Sequence, residues 1–133
     1  AIQCWEKETI DELETHVTKY RASRELILKQ LKKVSEINQK NIAPADGGFY
    51  VYVDLGEENV NRERGLGSTE MCRMLLEEKG VAFTPGTDFE DPSGNLGNRR
   101  FRISYAGGTA VVKSAMNLFE EFWPSWIKQV KEA

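Results

Sequence analysis

The stretch Asn98-Arg-Arg-Phe-Arg-Ile-Ser-Tyr-Ala-Gly-Gly-Thr109 decides the fold, because it has the pattern of a buried strand that leads directly into a helix. Apolar and polar side chains alternate along it, and this period of two is that of a strand. One face carries Phe101, Ile103 and Tyr105, and the other carries Arg100, Arg102 and Ser104. The glycine pair allows a turn, and Thr109 is predicted to be the N-cap of the apolar helical pattern that follows.

Arg102 is the residue of this strand that suggests a binding function. A charged side chain between Phe101 and Ile103 is not expected to lie free in solvent. Its planar fork of donors matches a carboxylate or a pair of phosphate oxygens. The alternative is a structural ion pair with an aspartate or a glutamate. Spacing along the chain leaves both interpretations open.

The bulk properties exclude several classes of protein. A chain of 133 residues is one domain or a piece of one, and its 40% hydrophobic and 29% charged residues are typical of a soluble globular protein. A net charge of −3 argues against nucleic-acid binding. No apolar run approaches the ~18 residues of a membrane span. Cys4 and Cys72 have no CxxC spacing, so we expect reduced packing residues of an intracellular, cytoplasmic protein, with a single disulfide as the alternative.

Outside the arginine strand, the sequence predicts a long helix over 9–37, with a capping box formed by Thr9 and Glu12. Apolar residues recur along it at helical spacing, which makes a self-associating coiled coil an alternative, although Arg24 interrupts the pattern. The aromatic and β-branched segment 47–55 predicts a central strand. Ser68 is expected to cap a short helix that Gly80 ends.

The remaining elements complete an open two-layer sandwich of the α/β (α+β) class. A brief strand is predicted over 81–84, and Pro124 is expected to kink or restart the last helix, leaving Trp123, Trp126 and Ile127 near a terminus. The order is αβαββα, with three helices and a mainly antiparallel sheet of three strands.

Several kinds of active site lack support in the sequence. His16 and Glu12 offer two metal ligands on one helix face without a third. There is no G-x-S-x-G elbow and no glycine-rich phosphate loop. The aromatic residues of the strands lack a basic surround, so they indicate core packing and not base stacking.

Three motifs, in order, resemble one family. They are Gly47-Gly-Phe-Tyr50, Leu75-Leu-Glu-Glu-Lys-Gly-Val-Ala-Phe-Thr-Pro-Gly-Thr-Asp-Phe89 and Phe101-Arg-Ile-Ser-Tyr-Ala106. Together they resemble the C-terminal part of class I/II aminotransferases, the pyridoxal-phosphate (PLP) enzymes of the aspartate aminotransferase fold. The segment from Tyr20 to Leu28 is similar to the long helix that joins the large domain of that family to its small domain.

The resemblance implies a role for Arg102, which occupies the position of the family's arginine for the α-carboxylate of the amino-acid substrate. Arg100 precedes the motif and is expected to be solvated. Residues 1–8 would be a remnant of the large domain, 9–37 the inter-domain helix and 47–133 the small α/β sandwich. The opening Ala-Ile-Gln-Cys-Trp looks like the middle of a pattern, as if cut from something longer.

The resemblance also implies what the chain lacks. No lysine stands in the setting of the family's Schiff base, which is Ser-x-x-Lys followed by small residues and an arginine, so we expect no catalytic residue here, no PLP bound to this chain alone and no activity by itself. The parent would transfer an amino group between an amino acid and a 2-oxo acid, as a homodimer containing the large domain. A truncated domain predicts an exposed apolar flank. A stand-alone module that binds small carboxylates remains the alternative.

Overall fold

The computed structural model describes residues 2–132. Within them lie three α-helices and three strands, joined by turns and short 3-10 helices. The helices are α1 (Lys7–Leu31), α2 (Ser68–Lys79) and α3 (Thr109–Lys131), and the strands are β1 (Tyr50–Asp54), β2 (Thr84–Pro85) and β3 (Arg100–Ser104). The predicted order and fold class are therefore confirmed.

The arginine strand β3 is the centre of the sheet. It pairs antiparallel with β1 on one side and with β2 on the other, in the order β1-β3-β2. The prediction of a central strand over 47–55 was wrong, because β1 lies at the edge. Only Val51 and Val53 point to the core, whereas Tyr50 and Tyr52 share the polar face with Arg102. The predicted strand 81–84 is also shorter in the structure, where only its last residue belongs to β2.

The apolar face of β3 forms the core, as its alternation predicts. Phe101 is fully buried, and its ring stacks on Phe83 at 5.5 Å between centroids and lies 6.0 Å from Phe119. Residues of all three helices join the same cluster, among them Ile27, Leu31, Met71, Leu75, Met116 and Trp126. Helices therefore cover the apolar face, and the face that carries Arg102 is left for polar and aromatic side chains.

The predicted helix ends need correction. Helix α1 begins at Lys7 with Glu6 as N-cap, so the capping box at Thr9 is wrong, and it ends at Leu31 instead of residue 37. Val34 and Ile37 keep the helical spacing and are buried, but they lie in turns. Because Val34 and Ile37 are apolar residues of the core, the apolar pattern in the sequence continues past the end of the helix.

Two predicted N-caps are instead the first residues of their helices. Gly67 and Gly108 occupy the N-cap positions before Ser68 and Thr109. The Ser68 hydroxyl donates to the Gly97 carbonyl at 2.6 Å, and the Thr109 hydroxyl pairs with that of Ser23 at 3.0 Å. These hydroxyls connect helices to neighbouring elements, a contact that local sequence does not reveal.

Pro124 does not restart the last helix, which was one of the two predicted outcomes. Helix α3 runs through it, and Trp123, Trp126 and Ile127 lie near the C-terminal end of the helix, as predicted, but are buried in the core. A proline inside a helix removes one hydrogen bond. The burial of large side chains on both sides of it offsets that loss, because tertiary packing overrides local propensity.

The first half of α1 carries an exposed apolar stripe. Ile10, Leu13 and Val17 are 41%, 55% and 45% exposed, whereas Ile27 and Leu31 in the second half are fully buried. The three exposed residues follow helical spacing, so they form one face. This stripe agrees with the exposed apolar flank that a truncated domain predicts on the long helix; the same hypothesis predicts a second one on the sheet.

Replacing Gly80 with alanine is expected to lower the free energy of unfolding by about 1–2 kcal/mol. Gly80 is the C-cap of α2 with φ of +69°, a left-handed conformation that a Cβ disfavours. Nothing lies within 4 Å of an added Cβ, so the cost is conformational and not steric. Urea denaturation measures it. Gly80→Asn is the control, and we expect a smaller loss because asparagine tolerates this conformation; equal losses would contradict the explanation.

Candidate functional site

Arg102 lies half-buried on β3, between Tyr52 on β1 and Thr84 on β2. Its guanidinium carbon is 4.2 Å from the centre of the Tyr50 ring and 4.3 Å from the centre of the Phe89 ring. We call Tyr50 and Phe89 the aromatic pair. A cation this close to a ring face is attracted by the ring quadrupole. The aromatic pair therefore holds the guanidinium without neutralising its charge.

The donors of Arg102 are not satisfied within the described part of the chain. Its Nε is buried and has no hydrogen-bond partner, and no carboxylate among residues 2–132 forms an ion pair with it. The terminal nitrogens are not buried in this way, so they remain accessible. A buried donor without a partner is uncommon and costs free energy. The described residues therefore do not form the structural ion pair with Arg102 that the sequence left open.

The acidic residues of this face are engaged by other arginines. Arg100 donates from Nε to Asp54 at 3.0 Å and from Nη1 to Glu90 at 2.8 Å. Arg99 contacts Asp54 at 2.9 Å and Glu57 at 2.5 Å. The expectation that Arg100 is solvated was wrong, because the β1–β3 register places Asp54 directly opposite it.

The charges of this network balance. Three carboxylates, those of Asp54, Glu57 and Glu90, pair with three guanidiniums, those of Arg62, Arg99 and Arg100. The positive charge of Arg102 is thus left over beside a neutral network. Such a cation can attract an anion without first breaking an ion pair.

Hydrogen bonds keep the network ionised. Burial opposes ionisation of Asp54, but the Gly56 amide and the two arginines outweigh it and hold its pKa below the usual value. The Arg100 and Tyr52 donors lower the pKa of Glu90. Burial, together with the bond to Glu90, raises the pKa of Tyr52 to about 12, so its hydroxyl stays protonated and remains a donor.

Replacing Asp54 with asparagine is expected to lower the free energy of unfolding at pH 7 by about 1.5–3 kcal/mol, the range for hydrogen bonds to charged groups. Because folding lowers the pKa of Asp54 from 3.8, its stabilisation is complete above that pH and is lost as the pH falls toward the folded pKa. Urea midpoints between pH 7 and pH 2.5 should therefore converge for the two proteins in acid. A constant difference across this range would contradict the account.

The other candidates from the sequence form no site. His16 lies 3.9 Å from Glu12 on an exposed helix face, and no group of three or more metal-ligating side chains occurs among the described residues. Both cysteines are free thiols, so the alternative of a disulfide is wrong. Cys72 is buried, which raises the pKa of its thiol to about 12 and makes it unreactive. Cys4 is exposed and is not a packing residue as predicted.

Comparison with known proteins identifies the family. The family described as aminotransferase class I and II matches residues 1–116 of this chain. The chain belongs to this family.

Relatives with known names support the assignment. The chain is 30% identical over 125 residues to valine–pyruvate aminotransferase of Mycobacterium tuberculosis, covering 94% of this chain and 29% of that protein. It is 32% identical over 123 residues to (5-formylfuran-3-yl)methyl phosphate transaminase of Methanocaldococcus jannaschii, covering 92% and 28%. The crystal structure of an aminotransferase from M. tuberculosis superposes with a TM-score of 0.77 at 30% identity, covering 94% and 29%. The chain thus spans less than a third of the length of these aminotransferases.

None of the lysines in the described part of this aminotransferase chain takes part in the ion pairs around Arg102, although Lys40 lines a pocket together with Tyr52, Asp54 and Arg100. Lys79 is half-buried and pairs with Glu121 at 3.2 Å, and every other lysine is exposed. No helix among residues 2–132 has the length and apolar character needed to cross a membrane.

The sequence identified Arg102 but missed the residues that surround it. Tyr50 was interpreted as part of a central strand, and Glu90 was given no role. The only sequence signal for Glu90 is that it directly follows Phe89, the last residue of the second of the three family-like motifs. Tyr50 and Phe89 are about 40 positions apart in the sequence, so only the folded structure shows that both contact Arg102.

Proposed function

We propose that this chain is the C-terminal small domain of a PLP-dependent aminotransferase and that Arg102 binds the α-carboxylate of the amino-acid substrate. In this assignment residues 1–8 belong to the large domain, 9–37 form the inter-domain connection and 47–133 form the small domain. The observation that carries the proposal is the guanidinium of Arg102, charged, unpaired among the described residues and held by the aromatic pair.

The contribution of Arg102 to catalysis is positioning. Its two accessible terminal nitrogens match the two oxygens of a carboxylate, and such a bidentate pair fixes orientation as well as distance. The rings of the aromatic pair lower the local dielectric constant beside the guanidinium, which strengthens its interaction with an anion. Holding the substrate in one orientation is a recognised source of rate acceleration.

The residues described here do not fit a complete PLP site. Their lysines are exposed or paired, and none stands in the Schiff-base setting of the family, Ser-x-x-Lys followed by small residues and an arginine. When bound, PLP supplies the electron sink for amino-group transfer. We therefore assign this chemistry to the large domain of the parent enzyme and expect this chain to be inactive alone. A homodimeric parent in the cytoplasm also remains a prediction.

A titration of the 133-residue chain with acetate tests the binding role of Arg102. Because its Nε is buried, its N–H should give a resolved signal in ¹⁵N–¹H NMR spectra of arginine side chains. We expect this signal to shift in a saturable manner with acetate and to stay unchanged with acetamide, the neutral analogue. Arg73, which pairs with Glu70 on α2, is the internal control. If Arg102 responds no more than Arg73, the proposed function is wrong.

A further inference from the structure

We propose that Glu90 is a positioning residue for Arg102: anchored by Arg100 and Tyr52, it fixes the preceding Phe89 ring over the guanidinium. Glu90 would act before any ligand binds, by holding the Phe89 ring in place. The effect of this contact on ligand affinity rests on the proposed function.

One carboxylate oxygen of Glu90 connects β3, the strand of Arg102, with the neighbouring strand β1. Its Oε1 accepts a hydrogen bond from the Tyr52 hydroxyl at 2.9 Å and another from Arg100 Nη1 at 2.8 Å. Tyr52 lies directly opposite Arg102 on β1, and Arg100 lies two residues before Arg102 on the same face of β3. Glu90 is therefore attached to the residues nearest Arg102 on two sides.

The backbone before Glu90 is fixed independently. The amides of Phe89 and Glu90 both donate to the Gly86 carbonyl at 2.9 Å. A Cβ on Gly86 would lie 2.7 Å from the Arg100 carbonyl, so this turn is pressed against β3. The turn is thus held by its backbone at Gly86 and by the Glu90 side chain at its end.

Burial alone does not explain the position of Phe89. Its side chain is 50% exposed, whereas Phe101 on the opposite face is fully buried. A half-exposed ring gains only part of the hydrophobic free energy that fixes core residues. The two hydrogen bonds to the next residue supply the constraint that burial does not.

Four variants of the 133-residue chain test this role, with two readouts. The first readout is the shift of the Arg102 Nε–H signal, which the rings of the aromatic pair move upfield. The second is the acetate dissociation constant. We expect Glu90→Ala to move the signal downfield and to weaken acetate binding about 3- to 10-fold. Phe89→Ala should change both readouts in the same direction. The double variant should differ little from either single variant, because both changes remove the same contact between the Phe89 ring and Arg102.

Tyr52→Phe removes one of the two donors to Glu90 and should give a smaller change in the same direction. It also decides the matter if Glu90→Ala does not fold. Glu77→Gln, which breaks an arginine–glutamate pair on α2, is the matched control and should change neither readout.

The outcomes separate this inference from the proposed function. If the wild-type signal does not respond to acetate, the proposed function fails. The signal shifts of the variants still test the positioning role of Glu90, which we call the anchor. If wild type binds acetate and neither Glu90→Ala nor Tyr52→Phe changes the signal or the affinity, the anchor is wrong and the function stands. Fully additive effects of Glu90→Ala and Phe89→Ala would also overturn it.

Discussion

Replacing Arg102 with alanine in the complete aminotransferase is expected to lower kcat/KM for its amino-acid substrates by about 10²- to 10⁴-fold. Two hydrogen bonds to a carboxylate are lost, each worth about 1.5–3 kcal/mol. Arg102→Lys should lose about 10- to 100-fold, because an ammonium keeps the charge but not the fork that binds both oxygens. Steady-state kinetics with saturating cofactor measure both effects.

The control for these variants is Arg73→Ala. Arg73 forms exposed ion pairs with Glu70 and Glu77 on α2, away from the aromatic pair. Its loss should change kcat/KM less than twofold. If Arg102→Ala remained within threefold of this control while folding normally, substrate would not be bound through Arg102.

Replacing Phe101 with alanine is expected to lower the free energy of unfolding by about 3–5 kcal/mol, the usual loss for a buried phenylalanine. Phe101 is fully buried and packs against Phe83 and Phe119. Small domains have only about 5–15 kcal/mol in total, so the variant should lose a large part of its stability. Urea denaturation followed by tryptophan fluorescence measures the loss.

Phe89→Ala is the matched control for Phe101→Ala, because it removes the same side chain from the other face of the sheet. Half of the Phe89 surface is exposed, so we expect a loss of less than about 1 kcal/mol. Similar losses for the two variants would contradict the assignment of the core to the Phe101 face.

The alternation around Arg102 was enough to predict both faces of β3. Side-chain direction in a strand follows from a local period of two, so Phe101 and Ile103 could be assigned to the core without coordinates. The fold class followed for a similar reason, because the order of elements is a local property. The sandwich of three helices on an antiparallel sheet is confirmed.

The features that sequence did not predict depend on contacts between distant residues. Arg100 pairs with Asp54, 46 positions away, only because of the register between β1 and β3. The edge position of β1 depends on strand order, which its own composition does not encode. In the sequence, Tyr50 belongs to a strand pattern and Phe89 to a turn. In the structure, both rings lie against the guanidinium of Arg102.

The predicted N-caps of two helices were wrong for the same reason, because their side chains bond to distant residues. Ser68 and Thr109 have the chemistry of N-caps, but each is one position inside its helix. Their hydroxyls bond to Gly97 and Ser23 on other elements. A propensity records what a side chain can do locally, and tertiary partners decide which bond forms.

The most direct measurement is a crystal structure of the complete protein with an amino-acid substrate or a 2-oxo acid bound. We expect both carboxylate oxygens to lie about 2.7–2.9 Å from nitrogens of Arg102, as in charge-assisted pairs, with Tyr50 and Phe89 still against the guanidinium. A substrate carboxylate bound by other residues, with Arg102 paired to a carboxylate of the protein, would contradict the account.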